Sequence, residues 1–206
     1  MDVARPYAAL CPTLDSTILN VLAGTSRPLT GREVARLSGR SSHSGILDAL
    51  NRLVEHGLVH RAEAGKALLF TLNREHLAAP AVDVLAGMRA TLLERLRSTL
   101  GAWAIPPTHA SLFGSTARAD GGTDSDIDLF IVRPKGISQE HPGWRAQHDE
   151  LAASVRGWTG NSAAIAEVSE RDVERLRRDR PPIVADLLAD AIDLHGPRIA
   201  ELLRTR

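Results

Sequence analysis

Phe113-Gly-Ser-Thr-Ala-Arg-Ala-Asp-Gly-Gly-Thr-Asp-Ser-Asp-Ile-Asp-Leu129 joins a Gly-Ser turn to two carboxylates one residue apart. A mostly apolar run, Ala110 to Phe113, leads into the turn. A second, Leu129-Phe130-Ile131-Val132, follows the carboxylates. Residues i and i+2 of a strand point to the same face, so Asp126 and Asp128 are expected side by side at a strand start. Paired carboxylates suit a hard cation such as Mg²⁺, whose remaining positions are often filled by substrate phosphates. The Gly-Ser turn is expected to open a helix and to expose backbone N–H groups toward a phosphate.

Simpler readings account for less. Asp and Ser bond their own backbone in turns, which explains Gly121-Gly122-Thr123-Asp124. It does not explain two charges running straight into a buried-looking strand. Asp124, Asp126 and Asp128 have the 1-3-5 spacing of a calcium loop, but Leu129 stands where the turn Gly belongs and Lys135 where the bidentate Glu belongs. No Gly-Lys-Ser/Thr phosphate loop is present.

The stretch resembles the signature of the minimal nucleotidyltransferases in the DNA polymerase beta-like superfamily: an apolar residue, Gly-Ser, a spacer, then Asp-apolar-Asp-apolar. Phe113, Gly114, Ser115 and Asp126-Ile127-Asp128-Leu129 carry it, with Ser125 before the first Asp and Arg118 in the spacer. Ala119 stands where Gly is usual. The resemblance covers the chain from about residue 105 onward. It implies an α/β (α+β) core that moves a nucleoside monophosphate from an NTP to an acceptor hydroxyl or phosphate. Asp126 and Asp128 would hold Mg²⁺ or Mn²⁺, and Gly114, Ser115, Ser125 and Arg118 would contact the nucleotide. A pairing of Arg118 with Asp120 or Asp124 is the alternative. The family also implies a third carboxylate flanked by apolar residues on a later strand. Glu167 and Asp193 both have such flanks. Glu167 is preferred because sequential strands usually neighbour one another.

Composition sets outer limits. The 206 residues suffice for one large or two small domains. Aromatics make up only 3%, so the cores must be built from Leu, Val, Ile and Ala. The formal net charge is +0, which gives no global attraction to nucleic acid or membrane. Cys11 is alone, which excludes a disulfide framework and a Cys-based zinc site. With no apolar signal core and no apolar stretch long enough to span a bilayer, a cytoplasmic protein without membrane partners is expected.

Ahead of the signature, helical spacing over residues 14–24 ends at Gly24, and Thr30 with Glu33 forms a capping box for a short helix. Ser41 or Ser42 is expected to cap a longer helix to His56, with Ile46, Leu47, Leu50, Leu53 and Val54 on its apolar face. Residues 58–62 and 67–72 flank Gly65-Lys66 as a hairpin. Three helices and a hairpin resemble a winged helix-turn-helix, which implies Ser42, His43, Ser44 and Arg52 facing a major groove and Arg61 and Lys66 on the wing. Nine Arg/Lys against seven Asp/Glu in residues 1–80 make a weak electrostatic footprint.

The expected organisation is a winged helix over 1–78, a linker helix over 79–104 and a nucleotidyltransferase domain over 105–206. Further helices are expected over 144–158, from Ser169, from Pro181-Pro182 and from Pro197, with strands over 163–168 and 191–194. Two functions stay open: a metal-dependent nucleotidyltransferase whose winged helix positions DNA or a partner, and a DNA-binding regulator or antitoxin whose second domain senses nucleotide without catalysis. Resemblance alone implies a toxin or other acceptor protein as partner; a homodimer would double the DNA contacts.

Overall fold

In the computed structural model the described residues are all but 3–6, 8–9, 11–12, 40–42, 119–121, 123 and 205–206, with the backbone alone at position 43. The chain divides into two compact units, 5–89 and 1–4 with 90–206.

The 5–89 unit begins with α1 (Leu14–Ala23), closed at Gly24. A two-residue strand, β1 (Leu29–Thr30), leads into α2 (Gly31–Leu37). Thr30 accepts from the Glu33 N–H while the Glu33 carboxylate takes the Thr30 N–H at 2.8 Å, so the expected capping box is present. Next come α3 (His43–Glu55) and the antiparallel pair β2 (Val59–Ala64) and β3 (Ala67–Leu72). β1 adds to the far side of β3 to give the order β1-β3-β2. Ile18, Leu22, Val34, Ile46, Leu50 and Phe70 form a core contributed by all three helices and the sheet. The single linker helix expected over 79–104 is instead two helices, α4 (Ala79–Ala86) and α5 (Met88–Gly101). Gly87 caps α4 between them, and the division between the units falls within α5.

The second unit carries β4 (His109–Phe113), α6 (Gly114–Arg118), β5 (Ile127–Arg133) and α7 (Pro142–Thr159). After these come β6 (Ala163–Ser169), α8 (Glu170–Asp179), α9 (Pro182–Asp190), β7 (Ile192–His195) and α10 (Ile199–Leu202). Pro142 and the αL residue Gly160 set the two ends of α7, and a Ser169–Asp172 capping box starts α8.

The sheet order is β6-β5-β4-β7; β5 and β6 run parallel through α7, and the other pairs are antiparallel. Alternate residues of β5 feed two cores. Ile127, Leu129 and Ile131 pack with Trp144, Leu151 and Val155; Phe130 and Val132 pack with Val173, Val184 and Leu187. Among the described residues no helix is long and apolar enough to cross a membrane.

Phe130 is fully buried in the core beneath α8 and α9. Phe130→Ala is expected to destabilise this unit by about 3–5 kcal/mol. Urea unfolding followed by Trp fluorescence measures it, since Trp103, Trp144 and Trp158 all lie in the same unit.

Candidate active site

The pairing of β4 with β5 sets Phe113 opposite Asp128, and Gly114 is the next residue along. Its φ is +69°, and a Cβ built there would lie 2.4 Å from Asp128 Oδ2. Both facts require glycine: the left-handed backbone disfavours a side chain, and the carboxylate occupies the space it would need. Ser115, half-buried, follows at the start of α6. The Gly-Ser turn and the Asp128 carboxylate are therefore in direct contact.

Asp126 is exposed and lies one residue ahead of β5 rather than on the strand, and Asp128 is half-buried within it. Burial raises the Asp128 pKa above the usual carboxylate range, the neighbouring Asp126 charge adds to this, and Arg118 opposes it. A half-buried carboxylate whose charged form is disfavoured by burial and by a neighbouring carboxylate is a donor that a divalent cation would relieve. Among the described residues no third His, Cys, Asp or Glu joins them in a group able to hold a metal.

Glu167 is not brought to this site. Register pairs Asp128 with Ala164 and Ile131 with Glu167. Paired residues of neighbouring strands share a face, so Glu167 projects on the α7 side, opposite to Asp128. There it accepts from Arg133 Nε at 2.6 Å, in an ion pair whose side chains are 16% and 13% exposed. The expectation of Glu167 as third carboxylate fails because it sits an odd number of residues from the positions beside Asp128. Ala164 and Ala166 hold those positions. Asp193, the other candidate, pairs with Ser111 two strands away from β5 and accepts from the Ile199 N–H at 3.0 Å, at the start of α10.

Arg118 Nη1 donates to Asp190 Oδ2 at 3.0 Å, at the end of α9. Asp190 was not singled out from sequence, although its place just ahead of a strand expected to join the same sheet was a usable signal. The alternative partner Asp120 lies outside the described residues. Ser125 forms a reciprocal turn with Gly122, its Oγ accepting from the Gly122 N–H at 2.9 Å. Asn161 was also overlooked; its Nδ2 donates to the Ser125 carbonyl at 2.8 Å. A cavity of about 580 Å³ lined by Arg133, Lys135, Ser169 and Arg171 lies at the other end of β5 and β6.

A family model for the nucleotidyltransferase domain matches residues 91–195, about half of the chain. The chain belongs to the nucleotidyltransferase domain family. The match contains the Gly-Ser turn, both carboxylates and all four strands of the second sheet. No curated protein and no solved structure gives a significant match to the chain.

In the 5–89 unit, Ser44, Asp48, Asn51 and Arg52 are exposed on α3. Arg52 Nη2 is paired with Asp15 of α1 at 2.6 Å, and its side chain stays half-exposed. Arg61 and Lys66 are exposed, and Arg61 Nη1 reaches Asn51 Oδ1 at 3.5 Å. Ser42 and the side chain of His43 lie outside the described residues.

Glu167→Gln leaves Arg133 without its anionic partner. It is expected to lower stability by about 1–3 kcal/mol while nucleotide affinity is unchanged. Parallel urea titration and calorimetric nucleotide titration separate the two.

Proposed function

We propose that the nucleotidyltransferase domain binds a nucleoside triphosphate together with Mg²⁺ or Mn²⁺ at Gly114, Ser115, Asp126 and Asp128, and transfers its nucleotidyl group to an acceptor. The observation that carries this reading is the bare Gly114 backbone lying against the Asp128 carboxylate, which brings the main chain of a Gly-Ser turn into contact with a candidate cation ligand. Asp126 and Asp128 would hold the ion, whose contribution when bound is to neutralise the triphosphate and align the attack. Gly114 and Ser115 contact the β and γ phosphates, and Arg118 stabilises the leaving charge once it exchanges Asp190 for phosphate. The acceptor oxygen bonds to the α phosphorus, the bond to the bridging oxygen breaks, and pyrophosphate leaves. The acceptor proton passes to solvent, because β6 presents only Ala164 and Ala166 beside Asp128.

Those two alanines favour a second reading, in which the domain binds nucleotide and reports it without transfer. Incubation with each labelled nucleoside triphosphate and Mn²⁺, scored for pyrophosphate release as well as for binding, separates a transferase from a sensor.

Asp126→Asn and Asp128→Asn are each expected to abolish metal-dependent nucleotide binding and any transfer with the fold intact. Asp128→Asn should also raise the melting temperature of the metal-free protein. The raised folded pKa means that stability present below the unfolded carboxylate pKa is lost as pH rises through the folded value, and Asn removes that loss. Melting curves from pH 4 to 8 with and without Mn²⁺ check this; unchanged nucleotide binding in both variants removes the assignment.

For the 5–89 unit we infer a winged helix-turn-helix with α3 as recognition helix and the β2–β3 hairpin as wing. The support is three helices packed on a three-stranded antiparallel sheet, with Arg61 and Lys66 exposed on the hairpin. Such a module suits a DNA-binding regulator or antitoxin, and equally one that docks a toxin or other acceptor protein. If it binds DNA, Arg61→Ala and Lys66→Ala each weaken binding to all duplexes and reduce the salt slope by about one. Arg52→Ala has less effect, since Asp15 already neutralises that charge. A gel-shift survey of duplexes at low salt decides it; no shift by the full-length protein leaves protein docking as the module's role.

A further inference from the structure

Asp126 is exposed, yet the backbone on either side of it is held by groups from elsewhere in the domain. Before it, Asn161 Nδ2 donates to the Ser125 carbonyl at 2.8 Å. After it, the Ile127 N–H donates to the Ser162 carbonyl at 2.8 Å. At Asp126 itself, Thr116 Oγ1 donates to the carbonyl at 3.4 Å. Ser162 acts through its main chain and survives most substitutions, and the Thr116 bond is long. Asn161 is the side chain on which the arrangement turns.

Asn161 is 5% exposed and its amide is oriented by what surrounds it. Oδ1 accepts from the nitrogen of Met1, which leaves Nδ2 as the donor toward Ser125. The Asn161 N–H donates to Thr159 Oγ1 at 3.0 Å, and that hydroxyl donates to the Val155 carbonyl at 2.8 Å. The clamp is thus anchored in the last turn of α7, where Val155 is fully buried. A buried amide bonded at both its oxygen and its nitrogen is stiff.

We propose that Asn161 is a positioning residue for the cation site, holding Asp126 beside Asp128 before any ion arrives. The proposal rests on the reading of Asp126 and Asp128 as cation ligands. Without an ion, the two carboxylates repel each other, and an unrestrained turn relieves that repulsion by carrying Asp126 away from Asp128. The Asn161 bond to Ser125 opposes that movement, so less ordering remains for the cation to impose on binding. Outer hydrogen bonds of this kind commonly set metal affinity by about 10- to 100-fold.

The test uses full-length protein and Mn²⁺, titrated by electron paramagnetic resonance with ATP present. ATP affinity without metal and near-ultraviolet circular dichroism are followed alongside. Wild type binds Mn²⁺ and Asp128→Asn does not; Mn²⁺ binding absent from wild type, or retained by Asp128→Asn, overturns the ligand reading and this inference with it. Asn161→Ala is expected to weaken Mn²⁺ binding about 10- to 100-fold, with metal-free ATP affinity and circular dichroism unchanged. Asn161→Ser keeps a hydroxyl donor one bond shorter and recovers at most part of the loss; it also supplies the comparison if the Ala variant does not fold. Wild-type Mn²⁺ affinity in the variants overturns the positioning role. So does an equal fall in Mn²⁺ affinity and metal-free ATP affinity, which marks general damage.

Discussion

The pairing of Phe113 with Asp128 is the constraint on which the second unit turns. It forces the next residue, Gly114, to leave the strand with positive φ directly against a carboxylate, where no side chain fits. The pairing is itself held by the burial of β5, whose alternate residues feed the Trp144–Leu151 core and the Val173–Val184 core. A slip of one residue would exchange those two sets and move Asp128 to the other face. The chemistry at the start of β5 is thus fixed by apolar packing further along the same strand.

The same period of two disposes of Glu167. An acid between apolar residues on the neighbouring strand satisfies a pattern search, but a pattern of flanks carries no parity. Only the register, Asp128 with Ala164, decides which face an acid on β6 occupies. Glu167 falls on the face beneath α7, where a charge needs a partner, and Arg133 provides one.

Local signals were legible wherever a short stretch of chain carries its own cause. The Thr30–Glu33 capping box, the helix start at Ser169, the glycine end of α1 and the hairpin around Gly65-Lys66 all stand in the structure where sequence put them. The break at Gly87 was not read, because the apolar spacing continues across it and a lone Gly inside a helix is often tolerated. Bonds between distant residues were illegible for a different reason. Arg52 with Asp15, Arg118 with Asp190 and Asn161 with Ser125 depend on how elements dock, and nothing at either partner's position names the other. The Gly-Ser turn and paired Asp could be read because the whole motif lies on one strand–turn–strand unit.

The alanines opposite Asp128 and Phe130 have an evolutionary consequence. β6 is an edge strand, and Ala164 and Ala166 are only half-buried there. An aspartate at position 164 would face the same side as Asp128 and stay within reach of water, whereas position 166 packs against the Phe130 core, where a charge is costly. Alanine and aspartate codons lie one base change apart. A lineage carrying this fold can therefore cross between acid-bearing and acid-free forms of β6 in a single mutational step, while strand register, both cores and the Gly114 turn stay as they are.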